Sequence, residues 1–362
     1  MSTTIHVALG ARSYPIHIAA GGLSRVGEWM RAVAPGKRVL LVADAAVDAL
    51  YGEPVAASLA RAGYRVARAR VPSGETSKSS EQLVALYARC VEAGLDRSSA
   101  IVALGGGVVG DLAGYAAATY LRGIRLVQVP TTLLAMVDSS IGGKTGINLP
   151  HGKNLVGSFH QPVLVVCDPD ALRSLPARER AAGLAEVIKY GVIRDAALFA
   201  FLEQQLPRIQ AGESAAQEHV IARSCAIKAE VVAADEHESG ERAILNFGHT
   251  LAHAIENVAG YGSYLHGEAV GIGMVYAAEL SVRLKGFPVP DAARIQALVA
   301  RAGLPVRAPE LAWPALRRAM GVDKKSADGT PRFVLAEAIG RVAYGCTVTE
   351  SALEEVWHAR CQ

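Results

Sequence analysis

The segment AIVALGGGVVGD, residues 100–111, determines the class of fold. Its apolar first half predicts a buried strand, and the glycines that follow predict a tight turn into a helix. Residues 105–110 match the spacing G-x-G-x-x-G, which between a strand and a helix is typical of a dinucleotide-binding turn. In such a turn the backbone approaches a pyrophosphate closely, and the positive end of the helix attracts its charge. A sharp turn without a ligand has the same local sequence, so this pattern leaves both interpretations open.

Apolar runs of similar length lie on both sides of this segment and alternate with stretches of helical periodicity. They are RVLLVAD (38–44), RVARARV (65–71), RLVQVPTT (125–132) and PVLVVCD (162–168). Strands that alternate with helices predict βαβ units and a mostly parallel sheet. Residues 4–18 alternate apolar and polar side chains around Gly10, which predicts an additional β-hairpin.

The pattern changes near Pro176, where strand-like runs give way to apolar residues at spacings of three and four. This spacing predicts a helical second half, with one or two short strands around Gly340. We therefore predict a Rossmann-like, nucleotide-binding α/β domain over residues 1–177 and an all-α domain over residues 178–362. A cleft between two such domains is a usual location for an active site.

The composition excludes several classes of function. The 362 residues include 37 basic and 34 acidic side chains with no long block of either sign, so we expect no nucleic-acid partner. The five cysteines have no close spacing and the N-terminus lacks a signal-peptide pattern, so we expect a cytoplasmic protein. The apolar stretch 98–121 contains five glycines and Asp111, which suits a strand and a buried helix better than a membrane span.

Polar groups lie at the ends of several predicted strands, where open α/β sheets bind ligands. The segments are SGETSK (73–78), DSSIGGKTGIN (138–148) and HGKN (151–154). Lysine and asparagine in glycine-rich loops suit phosphate or carboxylate groups, although a solvated basic turn has the same composition. GGKT is not a Walker motif, because Asp138 occupies the position of the first glycine. Asp44, at the end of its strand, suits either a ribose contact or a helix N-cap.

Three histidines fall within 18 residues in the helical half. His249 and His253 are one helical turn apart, and Glu256 is about a turn further on. Imidazole and carboxylate groups gathered on helices suit zinc or a similar divalent ion, so we predict a metal site. The spacing does not decide which residues are the ligands among His249, His253, His266, Glu256 and Glu268. Glu186 is a further candidate, and with Lys189 three residues later it also suits a surface ion pair.

Together these motifs resemble those of the 3-dehydroquinate synthase family. The matching segments are SGETSK, GGGVVGD, QVPTTLLAMVDSSIGGKTGINLPHGKNLVGSFHQP, LAEVIKYG, RAILNFGHTLAHAIE, LHGEAVGIGM and DKK at 323–325. They extend in family order from the first third of the chain to near its end. The resemblance implies an N-terminal NAD-binding domain, a C-terminal helical domain that binds Zn²⁺ or Co²⁺, and a homodimer.

The resemblance also implies three sets of site residues. The metal ligands would be Glu186, His249 and His266. The NAD contacts would be Asp44, Ser73, Gly74, Glu75, Thr76, Ser77, Lys78, Gly106, Gly107, Val108, Val109, Gly110, Asp111, Thr131, Thr132, Lys144, Lys153, Leu172 and Ser174. The catalytic and substrate-binding residues would be Lys144, Lys189, Lys228, Arg242, Asn246, His253, Asn154, Lys324, Asp138 and, from the other subunit of the dimer, Arg122. Ser174 replaces a threonine of the family but keeps the hydroxyl, so we expect its contact to persist.

The reaction that the resemblance implies belongs to the shikimate pathway. 3-Deoxy-D-arabino-heptulosonate 7-phosphate would be converted to 3-dehydroquinate and phosphate by transient NAD-dependent oxidation, phosphate elimination, re-reduction and intramolecular aldol closure. A phosphorylated sugar-acid substrate would explain basic loops in a chain whose net charge is only +3. The alternatives are another sugar-phosphate cyclase, a metal-dependent polyol dehydrogenase and a non-catalytic nucleotide sensor.

Overall fold

The computed structural model describes residues 2–150, 152–260, 262–321 and 331–361. The chain divides into two compact units, Met1–Leu175 with Gln217–Glu236, and Pro176–Ala216 with His237–Gln362. The sequence predicts continuous domains that meet at 177/178, whereas the first unit also receives a segment from the second half of the chain. In that segment Cys225 is fully buried, and its Sγ lies 3.3 Å from the carbonyl oxygen of Met136. Helical periodicity reveals an apolar face but not the surface that the face will cover.

The first unit contains a seven-stranded sheet, a two-stranded hairpin and flanking helices. Its strands are β1 (Thr3–Val7), β2 (Tyr14–Ile18), β3 (Arg38–Asp44), β4 (Arg65–Val71), β5 (Ala100–Gly105), β6 (Arg125–Pro130), β7 (Lys144–Leu149), β8 (Gly152–Phe159) and β9 (Leu164–Cys167). Its helices are α1 (Val26–Val33), α2 (Ala45–Val47), α3 (Glu53–Arg61), α4 (Ser80–Glu92) and α5 (Gly107–Thr119). The predicted hairpin around Gly10 is confirmed as the antiparallel pair β1–β2.

The large sheet has the strand order β1-β2-β9-β6-β5-β3-β4, and every pair except β1–β2 is parallel. Strand β3 has β4 on one side and β5 on the other, so the chain reverses its direction of travel across the sheet there. Ligands of open α/β sheets bind at the carboxyl ends of the strands beside such a reversal. In this sheet those ends are Asp44 of β3 and Gly105 of β5.

The segment predicted to be a glycine-rich loop is instead the hairpin of β7 and β8. Lys144 pairs with Phe159 and Gly146 with Gly157 in antiparallel register. A Cβ added to Gly146 would lie 2.7 Å from the carbonyl oxygen of Val156. Two of these glycines therefore allow close approach of the two strands. The strand signal was missed because glycine hides the alternation of apolar and polar side chains.

The second unit is helical apart from one hairpin. The helices that follow α5 are α6 (Ala177–Ile193), α7 (Ala196–Gln210), α8 (Ser214–Ala234), α9 (His249–Ala259), α10 (His266–Lys285), α11 (Val289–Arg301), α12 (Trp313–Gly321) and α13 (Glu350–Val356), with most of α8 in the first unit. The hairpin consists of β10 (Phe333–Ala338) and β11 (Arg341–Cys346), which confirms the short strands predicted around Gly340. Among the described residues no helix is both long and apolar enough to cross a bilayer.

Candidate active site

The glycine turn of the first unit joins β5 to α5 with little space for side chains. Gly106 is the N-cap of α5, and no side chain caps the helix there. A Cβ on Gly106 would lie 3.0 Å from Thr132 Cγ2, and a Cβ on Gly107 would lie 3.0 Å from Ser139 Oγ. Backbone N–H groups in the first turn of a helix have no hydrogen-bond acceptor within the helix, so they are suited to bind an anion. The strand–turn–helix context that the motif requires is therefore present.

Asp44, at the carboxyl end of β3, caps the helix that follows. Its carboxylate accepts hydrogen bonds from the backbone N–H groups of Ala46 and Val47, at 3.0 and 3.1 Å. The hydroxyl of Ser73 donates to the same oxygen at 3.0 Å. The N-cap interpretation is thus confirmed, and a ribose contact from the same carboxylate stays a prediction. Ser73 belongs to the polar turn after β4, so two predicted NAD contacts lie together.

Lys78 is the centre of a buried polar cluster in the first unit. Its Nζ lies 2.7 Å from Asp111 Oδ2 and donates to Asn154 Oδ1, and it lies 3.7 Å from Glu75 Oε1. Burial by itself lowers the pKa of Lys78, but Asp111 and Glu75 outweigh it and raise that pKa above its usual value. Asn148 Nδ2 donates to Glu75 Oε1 at 2.8 Å and ties the β7–β8 hairpin to the cluster. Three residues to which the family resemblance assigned ligand contacts, Glu75, Asp111 and Asn154, therefore meet at the ammonium group of a fourth, Lys78.

Replacing Lys78 with methionine is expected to destabilise the protein measurably. The lysine side chain is 4% exposed and that of Asp111 is 21% exposed, so the substitution leaves a largely desolvated carboxylate without its cation. Removing one partner of a buried pair costs roughly 3–5 kcal/mol, and the partial exposure of Asp111 places this variant near the lower limit. Urea denaturation monitored by circular dichroism measures the change in the free energy of unfolding. Lys37→Met serves as the control for loss of a lysine elsewhere in this unit, and equal stability of the two variants would contradict the expectation.

Other predicted site residues of the first unit differ in their contacts and in their exposure. Lys228, on α8, is buried, and its Nζ lies 2.6 Å from Asp138 Oδ1. Ser174 Oγ lies 2.7 Å from the hydroxyl of Tyr51, whereas Leu172 is buried in the turn that precedes it. The remaining members are either exposed, as are Thr76, Lys144 and Arg122, or partly to fully buried, as are Ser77, Val108, Val109, Gly110, Thr131, Thr132 and Lys153. Gly74 has φ +101°, a conformation that favours glycine.

In the second unit, three side chains on three helices converge. Glu186 of α6, His249 of α9 and His266 of α10 each offer a ligand atom, and these atoms all lie within 4.8 Å of one another. The Nε2 atoms of His249 and His266 are 3.5 and 3.6 Å from Glu186 Oε1. Two imidazole nitrogens and one carboxylate oxygen form a set that fits zinc or cobalt with an open position for a further ligand. Glu256 and Glu268, which the spacing left open, are outside this group.

Glycine determines how closely these helices pack. A Cβ on Gly267, next to His266, would lie well under 3.0 Å from the backbone carbonyl of Ala182 on α6. A Cβ on Gly273 would similarly overlap the backbone of Gly248, which precedes His249. These contacts bring the first turn of α10 against α6, and a later turn, at Gly273, against the residue that precedes α9. The three ligand side chains therefore come from helices that can approach almost to backbone contact.

Charged neighbours surround the three-residue cluster. Lys189 Nζ contacts Glu186 Oε2, and both side chains are almost fully buried, so the surface ion pair considered for them is wrong. His266 Nδ1 lies 3.1 Å from Glu256 Oε2. Burial by itself lowers the pKa of His266, but Glu256 and Glu186 outweigh it and raise that pKa to about 10. The His253 ring centroid lies 5.7 Å from that of His249 and 6.5 Å from that of His266, beside the cluster.

Two further predicted residues of this unit lie in the helical turn Glu241–Asn246, shortly before α9. Arg242 is completely buried, and Asn246 Nδ2 donates to Glu238 Oε1 at 2.9 Å. Lys324 lies outside the described residues. Sequence reasoning assigned no role to Glu238, and it offered Glu256 only as a candidate ligand. The signal for Glu256 was its position on the same face of α9 as His249 and His253, but the partner on another helix is not visible in the sequence.

The fold and this cluster define a class of protein: a chain with a nucleotide-binding type of sheet and a helical unit that carries a carboxylate–histidine metal cluster. Residues 68–182 match the family model for the 3-dehydroquinate synthase N-terminal domain, and residues 183–326 match the model for the C-terminal domain. The chain belongs to the 3-dehydroquinate synthase family.

Relatives of known name match over nearly the whole chain. The 3-dehydroquinate synthase of Symbiobacterium thermophilum is 52% identical over 349 residues, which cover 95% of this chain and 97% of the relative. That of Nostoc sp. is 48% identical over 359 residues, which cover 98% and 99%. That of Bordetella pertussis is 52% identical over 340 residues, which cover 93% and 94%.

Solved structures resemble the chain closely. A 2-epi-5-epi-valiolone synthase from Streptomyces hygroscopicus, with NAD⁺ and Zn²⁺ bound, has a TM-score of 0.89 and 30% identity, and the match covers 97% of this chain and 98% of that one. A 2-deoxy-scyllo-inosose synthase, complexed with carbaglucose-6-phosphate, NAD⁺ and Co²⁺, has a TM-score of 0.89 and 28% identity, with coverage of 99% and 100%. The glycerol dehydrogenase of Schizosaccharomyces pombe, at 18% identity and a TM-score of 0.68, shares the fold, with coverage of 94% and 87%.

Proposed function

We propose that this protein is a 3-dehydroquinate synthase, a lyase that converts 3-deoxy-D-arabino-heptulosonate 7-phosphate to 3-dehydroquinate and phosphate. The observation that carries the proposal is the convergence of Glu186, His249 and His266 in a chain about half identical to enzymes of that name over nearly its full length. NAD supplies reversible hydride transfer when bound, and Zn²⁺ or Co²⁺ held by those three residues supplies Lewis-acid chemistry that favours ionisation of hydroxyl groups.

The second unit supplies buried cations that suit an anionic substrate. Lys189 is 1% exposed and Arg242 is fully buried. Burying a cation is costly, and Glu186 offsets part of that cost for Lys189. Anionic groups of a bound substrate would add to this stabilisation. Lys189 and Arg242 bind the phosphate and carboxylate groups of the sugar acid, and Asn246 orients its polar atoms. His253, beside the metal cluster, accepts and returns a proton at an imidazole nitrogen.

The first unit supplies the NAD turn and further polar groups. The β5–α5 turn holds the pyrophosphate at Gly106 and Gly107, and Asp44 contacts the ribose. Lys228 forms an ion pair with Asp138, whose Oδ1 lies 2.6 Å from its Nζ, and presents its side-chain nitrogen to the substrate. The Lys78 cluster fixes Asn154, which donates to the substrate phosphate. Because each of these groups is anchored by a neighbour, little side-chain entropy is lost when the ligands bind.

The reaction is tested with purified protein, the heptulosonate phosphate, Zn²⁺ and about one NAD per ten substrate molecules. Because the hydride is returned in each turnover, one NAD serves many substrate molecules. Released phosphate is therefore expected to reach about ten molecules per NAD supplied, and NADH is not expected to accumulate. Phosphate is measured colorimetrically, NADH by its absorbance, and 3-dehydroquinate by mass spectrometry. Glucose 6-phosphate is run in parallel, because one structural neighbour binds a carba-analogue of that sugar phosphate.

Each alternative predicts a different result in this assay. NADH that accumulates in proportion to product would identify a polyol dehydrogenase, and preferential turnover of glucose 6-phosphate would identify a different sugar-phosphate cyclase. NAD binding without turnover of either compound would identify a nucleotide sensor. Any of these results would overturn the proposed activity.

We further infer that the enzyme works as a cytoplasmic homodimer, with Arg122 reaching the site of the partner subunit. The exposure of Arg122 in the single chain supports this inference, because an exposed guanidinium group is available to a second subunit. Four described cysteines are free thiols, in keeping with a reducing compartment. Light scattering coupled to gel filtration measures the oligomeric state, and the mass of a single chain would contradict the dimer.

A further inference from the structure

We propose that Glu256 is the positioning residue of the metal site, holding the His266 ring with Nε2 turned towards the other ligands and adding negative charge behind it. The inference rests on the proposed metal-dependent function. Glu256 contacts His266, one of the three residues that could hold the metal, but is not itself one of the three.

The two ring nitrogens of His266 face different carboxylates. Nδ1 lies 3.1 Å from Glu256 Oε2, and Nε2 lies 3.6 Å from Glu186 Oε1. A hydrogen on Nδ1 directed at Glu256 leaves the lone pair of Nε2 for the metal. Histidines that bind metals commonly donate their second ring N–H to a carboxylate or carbonyl oxygen, which fixes the tautomer and the ring orientation.

His249 has the same arrangement with a neutral acceptor. Its Nδ1 lies 3.2 Å from the backbone carbonyl oxygen of Phe247, and its Nε2 lies 3.5 Å from Glu186 Oε1. The Nε2 atoms of the two histidines thus face the same carboxylate oxygen, whereas their Nδ1 atoms face different acceptors. Of these two outer acceptors, the carboxylate that faces His266 is charged and the carbonyl that faces His249 is neutral.

The difference in acceptor matches a difference in packing. The side chain of His249 is 10% exposed, so its surroundings restrict the ring, whereas that of His266 is 32% exposed at the first residue of α10. A more exposed ring has more freedom to rotate and needs a stronger restraint. Glu256, itself 10% exposed, supplies that restraint through a charge-assisted hydrogen bond from a neighbouring helix.

A direct role of Glu256 as a ligand is the competing explanation. Its contacting oxygen is already engaged with Nδ1 of His266, on the side of the ring away from Glu186. Loss of a ligand and loss of a positioning group differ in size. Removing an outer partner of a ligating histidine typically weakens metal affinity 10–100-fold, whereas removing a ligand itself takes away a coordinate bond.

The test measures zinc affinity of the full-length apoprotein by competition with a chromophoric chelator. Glu256→Ala is expected to weaken binding about 10–100-fold, and Glu256→Gln, which keeps an acceptor oxygen but loses the charge, about 10-fold. Glu268→Gln is the matched control, because Glu268 lies on α10 two residues from His266 but pairs with Arg178. Zinc affinity of the control is expected to stay within about twofold of wild type.

The Co²⁺-loaded proteins give a second readout that does not depend on affinity. The visible absorption spectrum of Co²⁺ reports the geometry and basicity of its ligands, so Glu256→Ala is expected to change the bands while Glu268→Gln leaves them unchanged. Circular dichroism of the apoproteins establishes that each variant is folded, and Glu256→Gln decides the question if the alanine variant is not.

Failure of this inference and failure of the proposed function are distinguishable. A wild-type protein that binds no zinc would remove the metal-dependent function. Wild-type zinc affinity in both Glu256 variants would overturn the positioning role alone. An affinity loss as large as that of a Glu186→Gln variant would also overturn it, because Glu256 would then be a ligand. Equal losses of zinc affinity in Glu256→Gln and Glu268→Gln would show that any lost negative charge nearby has the same effect. That result would also contradict the proposal.

Discussion

Replacing Glu186 with glutamine is expected to abolish zinc binding and to reduce turnover of the heptulosonate phosphate by at least about 1,000-fold. A metal ion acting as Lewis acid supplies several kcal/mol of transition-state stabilisation, and each 1.36 kcal/mol corresponds to a factor of ten in rate. Glutamine keeps the size of the side chain but removes the only carboxylate of the three-residue cluster. Phosphate release at saturating NAD, together with zinc content after dialysis, measures both effects.

The matched control is Glu179→Gln on the same helix. Glu179 is exposed in the first turn of α6, about 10 Å along the helix axis from Glu186, so its substitution is expected to leave both zinc content and turnover near wild type. NAD binding, measured by protein fluorescence quenching, is expected to survive in both variants because the β5–α5 turn belongs to the other unit. Turnover by Glu186→Gln within about tenfold of wild type at saturating zinc would show that this carboxylate is not a required ligand.

Gly267→Ala is expected to destabilise the protein by about 3 kcal/mol or more, and to weaken zinc binding. An added methyl group would overlap the backbone carbonyl of Ala182, which cannot rotate away as a side chain would. The helices must separate instead, and overpacking of this kind costs typically 1–3 kcal/mol and sometimes more. Because His266 is the adjacent residue of α10 and Glu186 lies on α6, the same displacement moves two metal ligands apart.

The sign of the stability change in Gly267→Ala distinguishes close packing from helix propensity. Within an ordinary helix, glycine is less stable than alanine by roughly 0.5–1 kcal/mol, so propensity alone predicts that Gly267→Ala stabilises the protein. Urea denaturation of the apoprotein separates the two expectations without involving the metal. A free energy of unfolding equal to or above that of wild type would contradict the close packing of α6 and α10.

Much of the fold could be predicted from the sequence because local patterns express it directly. Buried parallel strands such as β3 and β5 are short apolar runs, and the glycines after β5 mark a turn that other residues fit poorly. The hairpin β7–β8 was missed because its glycines carry no side chains to alternate. The return of residues 217–236 to the first unit was missed because the partner of a helix face is chosen by the whole fold.

The sequence was enough to predict the type of site, but not the contacts among the residues that form it. Spacing alone indicated a metal among several histidines and acids, and the family resemblance selected Glu186, His249 and His266, which the structure brings together. Neither source indicated that Glu256 would face His266 or that Lys78 would bridge Asp111 and Asn154. Those contacts join residues on separate elements, between 10 and 76 positions apart in the chain, and local patterns do not reveal them.

By itself the sequence determined the order of most strands and helices along the chain, the glycine turn and the types of ligand available for a metal. Periodicity and residue chemistry are local properties, and they are readable without coordinates. The tertiary structure alone decided the order of strands in the sheet and which carboxylate would lie behind His266. Such choices depend on which surfaces pack together, and close contacts such as that of Gly267 with Ala182 arise only when distant segments have folded against each other.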